Sequence, residues 1–406
     1  MGYRVLVCTI PGNYPGIPLA DEVFYVDTTD KEGCLDIARR YAIDAVCTSG
    51  TDVALPALGY IVDTLGLHGP TEKAALYSSN KYLMKQAFSS GRVMSARFHK
   101  VYNERECSLA IDDLGLPCVL KVVDSSGSRG IKIVHSLHEV HDAYADIRKY
   151  TKMSYVIVEE FLKGIEFGAQ AFVYEGKVHF VMPHLDVVYQ GATGVPVGHI
   201  VPINVELNKY SQQISEESVK AIHALGVDNT AVNIDFILAD GKPYVLEIGA
   251  RCGATGLAEL VSLYYGLDYY GIMLKAALGT LDTASFNNLK VQRAACVLLI
   301  TSEIAGVLMN YNPVIKHQNL YSYSLDYHIG ECVPQFKIGP DRMGQVIATG
   351  LSGKEALLSA KEIISELNLE IETSSNMKYK DKKLSKMGGA KREISISQVN
   401  NTRIAA

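Results

Sequence analysis

The sequence contains no Cys-x-x-Cys pair, although it has eight cysteines. They stand singly at positions 8, 34, 47, 107, 118, 252, 296 and 332. Closely spaced cysteine pairs are typical of zinc ribbons, so the spacing argues against that class of site. Cysteines scattered through a chain of 406 residues are typical of a reducing compartment. We therefore expect a cytoplasmic protein.

Long apolar runs and a strong net charge are also missing. The first apolar run is too short for a signal peptide, and no run is long enough to span a bilayer. The net charge of −5 gives no general affinity for nucleic acid or membranes. Residues 374–406 differ, because they carry eight Lys and Arg against two Asp and Glu. They are predicted to form a flexible basic tail, with weak contact to polyanions as the alternative.

The glycine pattern of a dinucleotide site is absent as well. The turn after the first apolar run reads IPGNYPG and not GxGxxG, which argues against such a site. Apolar runs at residues 4–10, 23–26 and 45–48 predict three strands, and a helical pattern covers residues 31–41. This alternation of strand and helix predicts an open, doubly wound α/β sheet.

A loop of small residues follows the apolar run that contains Lys121. It reads DSSGSRG over residues 124–130 and lies between two apolar runs, which predicts a strand, a loop and a strand. Small residues let backbone N–H groups approach phosphate oxygens, and serines add hydroxyl donors. The loop lacks the GK[ST] of a Walker motif, and a plain flexible hairpin is the alternative. Lys121 beside it favours phosphate binding, with Ser125, Ser126 and Gly127 as candidate contacts.

Two carboxylates lie close together within residues 233–253, NIDFILADGKPYVLEIGARCG, which predict two strands around a turn at Asp240 and Gly241. A two-residue turn would put Asp235 and Glu247 on opposite faces of the hairpin. A three-residue turn with Gly241 in the left-handed region would put both on one face, with Cβ atoms about 7–8 Å apart. Such a pair can share a cation, and hard oxygen ligands suit Mg²⁺ bound to phosphates. We therefore predict the three-residue turn and a metal site at Asp235 and Glu247; the alternative is that each acid caps a solvated strand end.

Three histidines recur at every third residue near the start of a predicted helix. They are His135, His138 and His141. Histidine is a common metal ligand, but no acid or cysteine completes a site around them. A solvated helix face is the interpretation that we prefer.

Taken in order, these motifs resemble the ATP-grasp superfamily of carboxylate–amine ligases. The likeness runs from about residue 3 to about residue 370, and the ordered set is specific although each motif alone is weak. Its marks are SNKYLMK, VLKVVDSSGSRG, VEEFLKGIEF, NIDF, LEIGAR and IGPDRMGQVIATG. The pair VGHIVP and EIGARCGATG looks closest to amino-acid ligases that make dipeptides. The ligase that joins phosphoribosylamine to glycine is similar at a greater distance.

The resemblance implies a fold that combines α/β and α+β parts. A Rossmann-like N-terminal domain would cover residues 1–75, and an ATP-grasp core would cover residues 76–280. The core would include a lid near residues 98–163. A C-terminal α+β segment would cover residues 281–373 and precede the basic tail.

The resemblance also implies roles in nucleotide binding. Lys81 and Lys121 would hold the ATP phosphates from two sides, and the small-residue loop would close over them. The adenine edge would meet Glu159 and the main chain near Leu162. The ribose hydroxyls would bind to Glu166.

For the metal and the chemistry, the resemblance implies that Asp235 and Glu247 hold Mg²⁺ or Mn²⁺. Arg251 would stabilise charge on an acyl phosphate. The family usually has an asparagine two residues after the second acid, as a further metal ligand. Here that position is Gly249, so the number of metal ions stays open.

We therefore expect an ATP-dependent ligase that forms an acyl phosphate and then an amide, releasing ADP and phosphate. Its partners would be a small-molecule carboxylate and a small-molecule amine, both amino-acid-like, and neither nucleic acid nor a membrane. The oligomeric state is left open, a homodimer included. One alternative is a sibling from purine or carbamoyl chemistry, such as a phosphoribosylamine–glycine ligase. Another is a nucleotide-binding scaffold without turnover, against which the retained Lys121, Asp235, Glu247 and Arg251 argue.

Overall fold

The chain begins with two short strands, which helices follow. The computed structural model describes residues 2–12, 14–125, 129–189 and 195–373. The first elements are β1 (Leu6–Cys8), β2 (Glu22–Phe24), α1 (Lys31–Tyr41), α2 (Leu55–Leu65), α3 (Glu72–Ser79) and α4 (Lys81–Ser90). β1 and β2 pair in parallel, and apolar residues of α1 and α2 form a small core beside them. The two strands and α1 lie where the sequence predicts them, but within the described residues they form a two-stranded sheet and not the open, doubly wound sheet that was expected.

Residues 45–48, predicted as a third strand, form no strand in the structure. The chain that follows them bonds to the central part of the molecule instead. The Gly50 N–H donates to the Cys252 carbonyl at 3.3 Å, and Ser49 Oγ lies 3.0 Å from Cys252 Sγ. These contacts hold the N-terminal segment beside residues that follow the predicted metal hairpin.

Asn80 separates two helices, α3 and α4, within residues 72–90. Its side-chain oxygen accepts hydrogen bonds from the N–H groups of Tyr82 and Leu83, both at 3.1 Å, and so caps a new helix. Asparagine is favoured at this position because it satisfies N–H groups that have no partner within the helix. As a consequence Lys81 is the first residue of α4.

A four-stranded antiparallel sheet lies within the segment predicted as the lid. Its elements are β3 (Phe98–Val101), α5 (Glu104–Leu114), β4 (Cys118–Lys121), β5 (Ile131–Val134), α6 (Val140–Ile147) and β6 (Val156–Glu160). The strand order is β3-β6-β4-β5, and α5 and α6 share an apolar core with the sheet. β4 therefore carries Lys121 directly beside β6.

The largest sheet has eight antiparallel strands. The remaining elements are β7 (Ile165–Tyr174), β8 (Lys177–Val188), β9 (Pro196–Val201), α7 (Val205–Asn208), α8 (Ser211–Leu225), β10 (Thr230–Ala239), β11 (Lys242–Gly249), α9 (Leu257–Tyr265), α10 (Tyr269–Ala277), β12 (Ala294–Ile300), β13 (Gly306–Asn310), β14 (Leu320–Leu325), β15 (Cys332–Val333), β16 (Gly344–Gly350), α11 (Gly353–Glu366) and β17 (Glu370–Glu372). The order in the sheet is β11-β10-β7-β8-β9-β12-β16-β14. β15, β13 and β17 form a separate three-stranded sheet, so both the α/β and the α+β parts of the predicted fold class are confirmed.

Residues 257–277 form two helices, α9 and α10. α9 ends at Gly266, whose φ of 69° lies in the left-handed region that ends many helices. The Asp268 side chain then caps α10 by accepting from the Gly271 N–H at 3.0 Å. The turn lets both helices contribute to one core against the large sheet. None of the described helices is long and apolar enough to cross a membrane.

Candidate active site

A cavity of about 2170 Å³ lies between the large sheet, the four-stranded sheet and the loop of residues 50–52. The predicted site residues that line it are Lys81, Lys121, Ser125, Glu159, Leu162, Glu166, Asp235, Glu247 and Arg251. These residues are up to 170 positions apart in sequence, and the fold brings all of them to one cavity. Ser126 and Gly127, at the centre of the small-residue loop, lie outside the described residues.

The β10–β11 hairpin places both predicted metal ligands on one face. Ala239 pairs with Lys242, so the turn has two residues, and the predicted three-residue turn is wrong. Both turn residues have positive φ, 48° at Asp240 and 70° at Gly241, which is the conformation of a type I′ turn. A β-bulge then shifts the register between Asp235 and Phe236, and Asp235 lies directly opposite Glu247. The shared face is thus confirmed, but the bulge produces it and the turn does not.

The charge around these two acids is suited to a cation. Burial, and then the negative charges of Glu247 and Asp186, raise the pKa of Asp235 to about 7. Asn233 Nδ2 donates to Asp235 Oδ1 at 3.0 Å. Oxygen ligands crowded in this way repel each other without a cation and are the kind that Mg²⁺ prefers. The donor set therefore fits a magnesium ion held by Asp235 and Glu247.

Lys81 connects the β10–β11 hairpin with the small-residue loop. Its ammonium donates to Glu247 Oε1 at 2.6 Å and to the Ser125 carbonyl at 3.0 Å. The Lys81 N–H also donates to the Val123 carbonyl at 3.0 Å, which fixes the start of α4 against the end of β4. A cation at this point can contact a phosphate and a carboxylate at the same time.

Three charged side chains form a group at the part of the cavity wall that contains Lys121. Lys121 Nζ donates to Glu159 Oε2 at 2.9 Å, and Lys85 Nζ lies 3.6 Å from Glu159 Oε1. Burial lowers the pKa of Lys85, and burial alone would do the same for Lys121, but Glu159 raises the pKa of Lys121 above its usual value. Burial opposes ionisation of Glu159, yet Lys121 and Lys85 hold its pKa below the usual range.

Both oxygens of the Glu159 carboxylate therefore face lysines inside the protein. An adenine ring bound here would therefore contact the main chain after β6, where Leu162 lines the cavity, and not the Glu159 carboxylate. Lys85 is a residue to which the sequence analysis gave no role. Its spacing of four from Lys81 was the available signal, because residues four apart lie on the same helix face.

Arg251 forms an ion pair with a residue of the N-terminal segment. Its Nη2 donates to Asp52 Oδ2 at 2.7 Å, and its Nη1 donates to the Cys252 carbonyl at 3.2 Å. Arg251 Nε and Asp52 Oδ1 are buried and have no hydrogen-bond partner within the described part of the chain. Unsatisfied buried polar atoms are rare, and at a cavity wall they indicate a ligand position.

Further polar side chains that sequence reasoning did not select lie at or behind the same wall. The buried Gln170 donates from Nε2 to Asn233 Oδ1 at 2.6 Å, and the Gly253 N–H donates to Gln170 Oε1 at 2.8 Å. His184, Asp186 and His199 line the cavity and lie on the neighbouring strands β8 and β9. Their meeting depends on the register of these two strands, which the pattern of either strand alone does not reveal.

A family model described as an ATP-grasp domain matches residues 78–255. Among curated proteins, the phosphoribosylamine–glycine ligase of Thermococcus kodakarensis is 26% identical over 259 residues. That match covers 59% of this chain and 60% of the relative, so the chain spans less than two thirds of the relative's length.

Two solved structures match nearly the whole chain. The phosphoribosylglycinamide synthetase of Anaerococcus prevotii is 33% identical, with a TM-score of 0.79, and the match covers 91% of this chain and 93% of that one. The L-amino acid ligase of Bacillus licheniformis has the same fold, with a TM-score of 0.76 at 21% identity over 92% and 93% of the two chains.

Proposed function

Because this chain belongs to the ATP-grasp family, we propose that it is an ATP-dependent carboxylate–amine ligase. The observation that carries the proposal is the grouping in one cavity of two lysines, two facing carboxylates and a buried arginine. The lysines suit phosphate oxygens, the carboxylates suit a divalent cation, and the arginine suits a carboxylate substrate.

The proposed reaction has two steps. An oxygen of the substrate carboxylate attacks the γ-phosphorus of ATP, so that an acyl phosphate forms and ADP leaves. The amine then attacks the acyl carbon, a C–N bond forms, and inorganic phosphate departs while the nitrogen loses a proton. Both steps gather negative charge on oxygens, so positioned cations and donors lower both barriers.

The residues divide this work by position. Lys81, from α4, and Lys121, from β4, would hold the phosphates from opposite sides. Asp235 and Glu247 would hold Mg²⁺ or Mn²⁺, which would offset phosphate charge during transfer. Arg251, oriented by Asp52, would point its donors at the carboxylate that is activated.

The substrates that we favour are amino-acid-like, because the segments VGHIVP and EIGARCGATG resemble those of amino-acid ligases. The 33% identity to a phosphoribosylglycinamide synthetase keeps a second candidate, a ligase that joins phosphoribosylamine to glycine. Such an enzyme would use the same ATP residues and differ in the amine pocket. ADP release that requires this pair, and no other, would identify it.

Trapping with hydroxylamine tests the proposal. The protein is incubated with ATP, Mg²⁺, hydroxylamine and single carboxylates, and hydroxamate and ADP are measured. A ligase yields hydroxamate with its own carboxylate in the absence of the natural amine, because hydroxylamine attacks the acyl phosphate. ADP release is then screened over pairs of amino acids. If no carboxylate in a broad set gives hydroxamate or ADP, the protein is a nucleotide-binding scaffold and the proposal is wrong.

A further inference from the structure

His184, Asp186 and His199 converge on one face of the large sheet. His184 and Asp186 are two residues apart on β8, so their side chains point to the same side. Asp186 lies opposite His199 on β9 in the strand register. All three line the cavity of the candidate active site. They come from strands other than the β10–β11 hairpin that carries Asp235 and Glu247.

The ligand atoms of this cluster are close enough to share one ion. Asp186 Oδ1 lies 2.7 Å from His199 Nδ1 and 3.1 Å from His184 Nδ1. One ligand atom from each residue can be chosen so that all three lie within 4.8 Å of one another. Ligand atoms around a tetrahedral zinc ion are roughly 3.4 Å apart, given bonds of about 2.1 Å. A small outward movement of the Asp186 carboxylate would therefore open the coordination position.

The alternative, a cluster held by hydrogen bonds alone, leaves one atom unsatisfied. Asp186 Oδ1 accepts from His199 Nδ1 at 2.7 Å, whereas His184 Nδ1, buried and 3.1 Å from the same oxygen, makes no well-aligned hydrogen bond within the described residues. The His184 side chain is only 2% exposed. Its ring cannot easily turn away, because it lies so close to Gly168 that a β-carbon there would be 2.3 Å from His184 Cε1. His184 Nδ1 is thus held facing Asp186.

The chemistry of the side chains also suits a metal. Two imidazoles and a carboxylate make a donor set of two nitrogens and one oxygen, and zinc accepts both kinds of ligand.

We propose that His184, Asp186 and His199 form a binding site for a divalent transition-metal ion such as Zn²⁺, separate from the magnesium site at Asp235 and Glu247. Imidazole nitrogen selects zinc-like ions over Mg²⁺, which prefers oxygen. Three protein ligands leave a fourth position open toward the cavity, as in zinc sites that bind substrate or water. The site rests on its own geometry and does not require the ligase activity.

Cobalt binding tests the site, because Co²⁺ commonly replaces Zn²⁺ and its visible absorption reports nitrogen ligands. Metal-free full-length protein is titrated with Co²⁺ in excess Mg²⁺, which occupies the oxygen sites. We expect one equivalent of Co²⁺ with absorption typical of nitrogen coordination, displaced by Zn²⁺. His199→Gln and Asp186→Asn should each weaken binding at least about 100-fold, since even partners outside the ligand set change affinity 10–100-fold.

Two matched variants control the assignment. His138→Gln removes an exposed histidine, and Glu247→Gln alters the magnesium site; both should bind Co²⁺ like the wild type. Circular dichroism verifies that each variant is folded, and the wild-type titration decides the question if the histidine variants do not fold. The proposal is overturned if the wild type takes up no Co²⁺ or Zn²⁺ in excess Mg²⁺. It is equally overturned if folded His199→Gln retains the ion or if Glu247→Gln loses it.

Discussion

The Asp52 carboxylate occupies the space that a side chain on Gly249 would need. A β-carbon at position 249 would lie 2.8 Å from Asp52 Oδ1 and 3.1 Å from Arg251 Cζ. The family resemblance leads one to expect an asparagine at this position, and here the bare backbone leaves room for the Asp52–Arg251 ion pair. The N-terminal segment thereby supplies a carboxylate to the site. A side chain at the end of β11 would therefore have to displace the Asp52 carboxylate.

The first prediction follows from this contact. Gly249→Ala should push the Asp52 carboxylate away from Arg251 and lower turnover about 100-fold, because small displacements of positioning groups have effects of that size. Nucleotide affinity should change little, since the atoms nearest to the new methyl group belong to Asp52 and Arg251 and to neither Lys81 nor Lys121. Steady-state kinetics and nucleotide titration measure the two effects. Gly16→Ala is the control, because a β-carbon there contacts nothing within 4 Å. Unchanged turnover in Gly249→Ala would contradict the role of the pair.

A second prediction concerns the two facing acids. Glu247→Gln should abolish Mg²⁺-dependent ATP turnover while the fold survives, because Glu247 is the proposed metal ligand that also contacts Lys81. Asp235→Asn should be milder and partly rescued by high Mg²⁺, because the amide oxygen remains a weak ligand and Glu247 is intact. The measurement is ATP turnover against Mg²⁺ concentration, with thermal melting to verify folding. Full activity in Glu247→Gln would exclude this metal site.

A third prediction uses the raised pKa of Asp235, which is about 7 in the folded protein, against about 3.9 in an unfolded chain. The folded state therefore binds this proton more tightly, and the resulting stability is lost as the pH rises toward 7. Without metal, Asp235→Asn and the wild type should have nearly the same melting temperature at pH 4. Between pH 4 and pH 7 the melting temperature of the variant should exceed that of the wild type by a growing margin. Saturating Mg²⁺ should remove the difference by stabilising the ionised wild type. A gap that does not change with pH would show that Asp235 has an ordinary pKa.

A fourth prediction separates the members of the buried ion group. Glu159→Gln leaves two buried lysines without a counter-charge, and it should lower the free energy of unfolding by about 3–5 kcal/mol. Lys85→Met should cost less, because the pair between Glu159 and Lys121 survives. Denaturant unfolding measures both, and Glu160→Gln is the control, because the neighbouring Glu160 carboxylate is partly exposed and pairs with the exposed Arg97. If Lys85→Met lowers the free energy of unfolding more than Glu159→Gln does, Lys85 and not Glu159 is the central member of the group.

The difference between the predicted and observed hairpin shows where sequence reasoning fails. The strands and the positive φ of Gly241 follow from local chemistry, so both could be predicted. The bulge that sets Asp235 against Glu247 depends on how β10 packs between β7 and β11, and no short pattern encodes that. Asp52 was missed because its partner Arg251 is 199 residues away in sequence. His184 and His199 were missed because their meeting at Asp186 depends on the register of β8 and β9. By contrast, Asn80 is a recognisable cap, and the division between α3 and α4 could have been predicted.

The last prediction concerns Arg251. Removing its guanidinium by Arg251→Ala takes away a charge-assisted donor that would face the developing negative charge of the acyl-transfer steps. One such donor contributes about 10²–10³ in turnover, so hydroxamate formation should fall by that factor. ATP affinity should stay close to that of the wild type, because the lysines and the main chain near Leu162 are untouched.

Asp52→Asn separates the two functions of the ion pair that Arg251 forms. It keeps the size of the side chain but removes the charge that orients the guanidinium, which is paired with Asp52 at 2.7 Å. If Asp52 acts only by positioning, Asp52→Asn should reduce turnover less than Arg251→Ala, and the double variant should resemble Arg251→Ala. Hydroxamate yield and nucleotide affinity are measured in all three proteins. Equal loss of ATP affinity and acyl transfer in Arg251→Ala would make Arg251 a nucleotide ligand, because a residue that contacts only the carboxylate has no reason to change ATP binding.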